Sequence, residues 1–192
     1  MKILGFVFNC KPTVHAHVHY ISSKFNRSLW SLVHLKRSNI DTTTLVKVYS
    51  TMLRPLAEYC APLYHSMLTA ELAEKLEGLQ KRALKIIFGF GFTYNELLLK
   101  SKLEKMSTRR AKACLEYAKK LSVSPRFNNW FQEDKREINV RNKKKYVEEY
   151  AKTNRLYNSP LFYMRRKLNE LHSKEDNDCL ESTLIERRNI LI

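Results

Sequence analysis

The chain has 192 residues, 44% of them hydrophobic and 11% aromatic, with only four Gly and five Pro; this is enough apolar material for one compact domain or two small ones, and it excludes a disordered or collagen-like chain. Lys and Arg number 35 against 19 Asp and Glu, a formal charge of +16. Such a charge repels itself in a compact fold and points to an anionic partner, nucleic acid ahead of a membrane surface, with a merely soluble basic protein as the plain alternative.

Residues 2–8, rich in Ile, Phe and Val around Gly5, suit a single strand that Lys11-Pro12 ends, with no second strand in the chain to pair with it. From Thr13 to Arg37 apolar residues recur at Val18, Ile21, Phe25, Leu29 and Leu32, with Lys24, Arg27 and Ser31 opposite, which predicts an amphipathic helix. Thr42–Met67 is apolar on nearly all sides and predicts a buried helix, kinked or broken near Pro55 and Pro62 because each removes a backbone donor. Ala70–Phe88 places Leu72, Leu76, Leu79, Ala83 and Ile86 on one stripe, with Glu71 before Lys75 and Glu77 before Lys81 at i,i+4, and Gly89 and Gly91 stop it. A short helix at Asn95–Lys102 and another from Ser107 to about Leu121 complete a helical core. Beyond Pro125 the texture changes: residues 135–167 hold eleven Lys or Arg against three Glu, interleaved with Tyr146, Tyr150, Tyr157, Phe162 and Tyr163. This reads as a basic, loosely structured extension with one more short helix around Leu161, Met164, Leu168 and Leu171. The end, acidic at Glu175, Asp176 and Asp178, leaves room for a final helix.

No stretch reaches the roughly 18 apolar residues of a spanning helix, and the apolar opening is too short for a signal peptide, so an intracellular protein of nucleus or cytoplasm with no membrane contact is expected. Cys10, Cys60, Cys114 and Cys179 stand at least 50 positions apart and form no C-x-x-C pair; they read as reduced, mostly buried thiols. His15, His17 and His19 have no second ligand cluster, so they read as packing or capping residues rather than a metal site. The chain has no G-x-S-x-G, Gly-rich phosphate loop or H-E-x-x-H, and no enzyme site is expected. Glu58, the one carboxylate within an apolar run, needs a cation: Arg54 one turn earlier is the expected partner, with Arg82 or Lys85 on the next helix as alternatives. Lys24, Arg27, Lys81, Arg82, Lys85, Arg109 and Arg110, together with Lys143, Lys144 and Lys145 of the extension, are the candidate phosphate contacts.

Several strings, in order, resemble the non-LTR (LINE-type, jockey-like) retrotransposon reverse transcriptases over the portion that follows the polymerase palm, from about residue 3 to 170. Leu4-Gly5-Phe6 is similar to the family's Y-L-G-V strand at the primer grip. Lys11 to Val18 resembles K-L-T-W-x-x-H-V, with His17 at the histidine and Val14 in place of the tryptophan. The run from Leu53 through Arg54, Pro55, Glu58 and Tyr59 to Pro62 resembles I-R-P-V-L-E-Y-A-S-P, the most specific of these strings. Glu77 to Ile87 is similar to I-E-x-V-Q-K-R-A-L-R-I-I, and Arg109-Arg110, Asn158-Ser159-Pro160 and Leu168-Asn169 follow in family order. Tyr64, where the family usually has tryptophan, and Gly78, within a helix, depart from the pattern.

The resemblance implies a mainly α chain in three parts: a palm-edge strand remnant (1–10), a helical thumb-like domain (11–124) and the basic extension (125–192). It implies a partner that is RNA, DNA or an RNA/DNA hybrid, held through its backbone, and a palm supplied by a longer copy. The RNA-directed DNA polymerase of the family uses magnesium at an aromatic-Ala-Asp-Asp box with an upstream Asp; no such string occurs here, so no cofactor and no polymerase activity are expected of this chain. A helical protein-interaction module and a non-functional relic of a mobile element are the alternatives.

Overall fold

The structure is a computed structural model that describes residues 1–8, 13–135 and 144–189, the last fifteen of these (175–189) by backbone alone. Cys10, Lys11, Pro12 and Lys143, and the side chains of Glu175, Asp176, Asp178 and Cys179, therefore lie outside what is described. The fold is mainly helical, with one small antiparallel hairpin at the N-terminus. It forms two compact units, Met1–Ala113 and Cys114–Ile192, whose division falls inside a helix.

The expected lone strand is instead two strands, β1 (Lys2–Ile3) and β2 (Phe6–Val7), paired with Lys2 opposite Val7 and Ile3 opposite Phe6. Leu4 and Gly5 between them both have positive φ, 45° and 84°, the pattern of a two-residue type I′ turn whose twist matches that of paired strands. The segment thus supplies its own partner. Periodicity could not reveal this, because the turn requires a leucine in the left-handed region.

Helix α1 (His15–Arg37) buries Val18, Ile21, Phe25, Leu29 and Leu32, the expected stripe. It runs against α5 (Ala70–Phe88), which buries Leu72, Leu76, Leu79 and Ala83 together with Gln80, Leu84 and Ile87, while Ile86 is only half-buried. Between them the apolar stretch breaks into α2 (Thr42–Val48), a π-helical turn (Tyr49–Leu53), α3 (Arg54–Glu58), α4 (Ala61–Tyr64) and a 3-10 turn (His65–Met67). Pro55 has no N–H to continue the α ladder, and the Arg54 N–H donates five residues back to the Tyr49 carbonyl. The full break comes at Cys60, in the left-handed region at φ 59°, so Pro62 opens the next helix instead of kinking the last.

The next two helices start on caps that their own sequences encode. Thr69 accepts from Leu72 N at the head of α5, and Thr93 with Glu96 makes a reciprocal capping box for α6 (Tyr94–Ser101). Helix α7 (Met106–Val123) follows. The first unit closes over one core that includes Phe25, Leu45, Tyr49, Tyr64, Leu76, Leu84, Ile87, Leu97 and Met106.

In the second unit a 3-10 turn (Pro125–Trp130) leads to Glu133, which bridges Tyr146; Asp134 N donates to Lys145 O and Val147 N to Gln132 O. Short α8 (Asn154–Tyr157) is followed by α9 (Pro160–Asn189), a single helix of 30 residues where two short ones were expected. The extension is also less loose than its composition implies. Ala118, Leu121, Phe131, Tyr146, Met164 and Leu168 form a core of their own. Asn169 turns its amide onto the Tyr146 backbone, accepting from N at 2.9 Å and donating to O at 3.0 Å, as a neighbouring strand would. Arg165 donates to Trp130 O at 2.7 Å and reaches Glu149 at 3.4 Å.

Candidate nucleic-acid interface

The polar residues of the Arg54-to-Pro62 string each reach into another element. Arg54 is buried, donates Nη2 to the Glu104 carbonyl at 3.2 Å, and brings Nε to 3.0 Å from Glu58 Oε1, close enough for charge attraction but out of line for a hydrogen bond. Glu58 also receives a two-pronged grip from Arg109 of α7, at 2.7 and 3.1 Å. This is the geometry in which guanidinium and carboxylate bind best, and the hydrogen bonds hold the Arg109 pKa above its ordinary value. The expected Arg54 partner is therefore present, joined by Arg109, while Arg82 and Lys85 are elsewhere. Tyr59 donates its hydroxyl to the Leu4 carbonyl at 2.5 Å, tying α3 to the hairpin turn. Tyr64 stands buried and donates to Ala57 O, so its hydroxyl satisfies a carbonyl inside the core.

His17 is built into the same junction. Its Nδ1 accepts from Val7 N at 3.3 Å, and its ring stacks on Phe6 at 4.0 Å and meets Tyr64 edge-on at 5.3 Å. Burial lowers its pKa to about 4. Among the described residues no group of three or more His, Cys, Asp or Glu is gathered as a metal would require.

The string from Glu77 divides by face. Gln80 is fully buried: it accepts from Tyr49 OH at 2.9 Å and donates to Tyr94 OH at 3.1 Å and to Glu104 O at 2.9 Å. Glu77 accepts from the N–H groups of Met106 and Ser107, both at 3.1 Å, and from Tyr94 OH. It thereby caps α7 from a different helix, satisfying donors that a helix start leaves unpaired. Burial raises the Tyr49 and Tyr94 pKa values, and for Tyr94 the Glu77 hydrogen bond adds to it. Sequence reasoning missed Glu77 and Gln80 as structural residues, because polar side chains on a charged helix read as solvated.

Lys81 and Arg82 point to solvent, and Lys85 is half-buried. Arg82 donates to Asn26 of α1 at 3.0 Å, so its guanidinium stands where the two helices meet. Lys24 and Arg27 are exposed on α1. They act, with Lys2, on the Tyr20 phenol, whose pKa is lowered first by the 2.8 Å hydrogen bond from Lys2 and then by these three charges. Lys2, Tyr20, Lys24 and Tyr59 border a cavity of about 390 Å3 beside Pro55 and Leu56. No carboxylate among the described residues pairs with Lys24, Arg27, Lys81, Arg82 or Lys85.

The other candidates are placed differently. Arg109 is exposed but paired with Glu58, and Arg110 is 1% exposed, so Arg110 is not presented to a phosphate in solvent and Arg109 is already neutralised. Arg110 is a correction to the expected contact set, and the cause is that α7 turns this residue toward the fold while Arg109 stays on its exposed side. Lys144 is exposed but paired with Glu148 at 2.5 Å, Lys145 is exposed beside the Tyr146 ring, and Lys143 lies outside the described residues. On α9, Arg166 stacks on Tyr157 at 3.6 Å. No helix among the described residues is long and apolar enough to cross a membrane.

Compared with known proteins, the chain matches no family model, no curated protein and no solved structure.

Proposed function

We propose that this chain is a thumb-like nucleic-acid clamp of the non-LTR reverse-transcriptase type, gripping an RNA/DNA hybrid through its phosphates. The observation that carries this reading is the charge distribution on the first unit. Lys24 and Arg27 of α1 and Lys81 and Arg82 of α5 stand exposed on two helices packed together, with no acid among the described residues to neutralise them. Cations so arranged attract a polyanion by releasing its counterions, with no need to read base edges. The resemblance adds the hybrid as the partner. It is supported by the way its strings divide, with Arg54, Glu58, Tyr59, Glu77 and Gln80 joined to other elements inside the fold and Lys81 and Arg82 left outside. No reaction is assigned to the chain.

The test is fluorescence anisotropy of the purified chain with an RNA/DNA hybrid, single-stranded RNA and duplex DNA over a salt series. Tight binding that favours the hybrid and falls linearly in log-log form is expected. Replacing Lys81, Arg82 and Lys85 together with Ala should reduce the slope by about 2 to 3 and weaken all sequences alike, since each phosphate contact contributes about 0.7 to 0.9. No binding at low salt would sink the reading. Self-association that salt does not weaken would favour a protein-docking module, for which the hairpin's exposed Ile3, Leu4 and Phe8 are the observation.

A further inference from the structure

Trp30, in the middle of α1, exposes 67% of its surface. An indole is among the largest apolar groups a chain can bury, so one left in water forfeits a sizeable contribution to folding. Its ring partner is His34 on the next turn, at 3.8 Å between centroids and tilted by 60°. The turn that precedes it is polar and carries cations. Arg27 stands three residues earlier and Asn26 four earlier, the positions that neighbour a side chain on a helix surface. Asn26 holds the Arg82 guanidinium of α5 at 3.0 Å. Arg27 thus stands one turn before the indole on its own helix, the Arg82 guanidinium is held at that same turn through Asn26, and no carboxylate among the described residues pairs with either.

We propose that Trp30 is a stacking platform for an unpaired nucleobase, with Arg27 and Arg82 holding the flanking phosphates, so that this face of α1 takes the unpaired strand that leaves an RNA/DNA hybrid. The inference rests on the nucleic-acid reading above and adds to it a contact for the unpaired strand beside the hybrid. Bases within a duplex are already stacked on each other and offer a helix surface only their edges and backbone, whereas an unpaired base offers a whole π face. An apolar protein partner fits this surface poorly, because it would strip water from two arginines and give them no counter-charge. A single strand supplies both the ring and the anion.

The chain has two tryptophans, so Trp130→Phe leaves Trp30 as the one indole reporter. This variant would be titrated with a short oligouridylate and with a blunt RNA/DNA duplex of equal length. The oligouridylate is expected to quench Trp30 emission strongly, and the duplex weakly. Trp30→Ala should weaken oligouridylate binding by about tenfold, the effect of losing one base-aromatic stack. Its affinity for the duplex should hold to within about twofold, since the phosphate contacts remain. Trp30→Phe, which keeps a smaller ring, should fall between, and far-UV circular dichroism should show both variants folded. Unchanged oligouridylate affinity in Trp30→Ala, or emission that stays constant at saturation, overturns the inference while leaving the phosphate clamp standing. A parent chain that binds neither probe at low salt overturns both.

Discussion

Glu77 has the sequence context of one more surface acid, four residues before a lysine. Its carboxylate instead takes the first two amides of α7 and the Tyr94 hydroxyl, so a single side chain fixes where one helix begins relative to two others. His17 does similar work at the hairpin. Its Nδ1 is the acceptor for Val7 N–H, which requires the neutral ring with its proton on Nε2. A proton on Nδ1 would remove that acceptor and place a charge between Phe6 and Tyr64. The pKa falls from 6.5 to about 4 through burial. Between those values the unfolded chain takes up a proton that the folded chain refuses, so stability is full above about pH 6.5 and declines as the pH drops toward 4, by about 3 kcal/mol in all. Denaturant unfolding at pH 7 and at successive acid values should trace that decline. His17→Gln, which does not titrate, should flatten it; an equal slope in the variant would place the acid sensitivity elsewhere.

At the scale of elements, one substitution tests two glycines with opposite signs. Gly5 sits at φ +84° in the hairpin turn, where an added Cβ would lie 3.0 Å from the Tyr59 ring, so Gly5→Ala should cost about 1 to 2 kcal/mol. Hydrogen exchange should then show the Val7 and Phe8 amides losing protection. Gly78 faces solvent in mid-helix with nothing within 4 Å of an added Cβ, and Gly78→Ala should stabilise α5 by about 1 kcal/mol in urea unfolding. The elements differ in how far their sequences announce them. Helix α5 is legible to the residue at both ends, because a long apolar stripe is framed by Thr69 and Gly89, and each does the local job its chemistry suits. The hairpin is illegible because its turn depends on Leu4 adopting a conformation that leucine rarely takes, held there by Tyr59 from 55 residues away. Helix α9 runs past the apolar positions that signalled it, through residues with no periodic face to read. Of the candidate site, the exposed cations of α1 and α5 were legible as charges on the far side of apolar stripes. The pairing of Arg109 and the burial of Arg110 were not, since a neighbour in sequence order says nothing of Glu58 on α3, and a paired or a buried arginine looks the same in one dimension as a free one.

For the whole molecule the dominant quantity is the charge of +16. Compactness brings these cations together, so part of the folding free energy is offset by their repulsion, and that repulsion is long-ranged only while the Debye length is long. Salt should therefore stabilise the free protein. Raising it from about 0.02 to 0.5 M shortens the screening length from roughly 20 Å to about 4 Å, and the thermal midpoint should rise by at least about 3 °C, equivalent to about 1 kcal/mol. An oligonucleotide should raise the midpoint as well, but most strongly at low salt, because it neutralises the same cations and is itself displaced by counterions. The two trends run in opposite directions with ionic strength, and differential scanning fluorimetry with and without a short RNA/DNA hybrid separates them in one experiment. Curves that diverge at low salt and converge at high salt mark a surface whose charge is destabilising alone and satisfied by a polyanion. A midpoint indifferent to the hybrid at every salt, with the free protein still stabilised by salt, would mean that the basic surface is a cost the fold bears for some purpose other than binding nucleic acid.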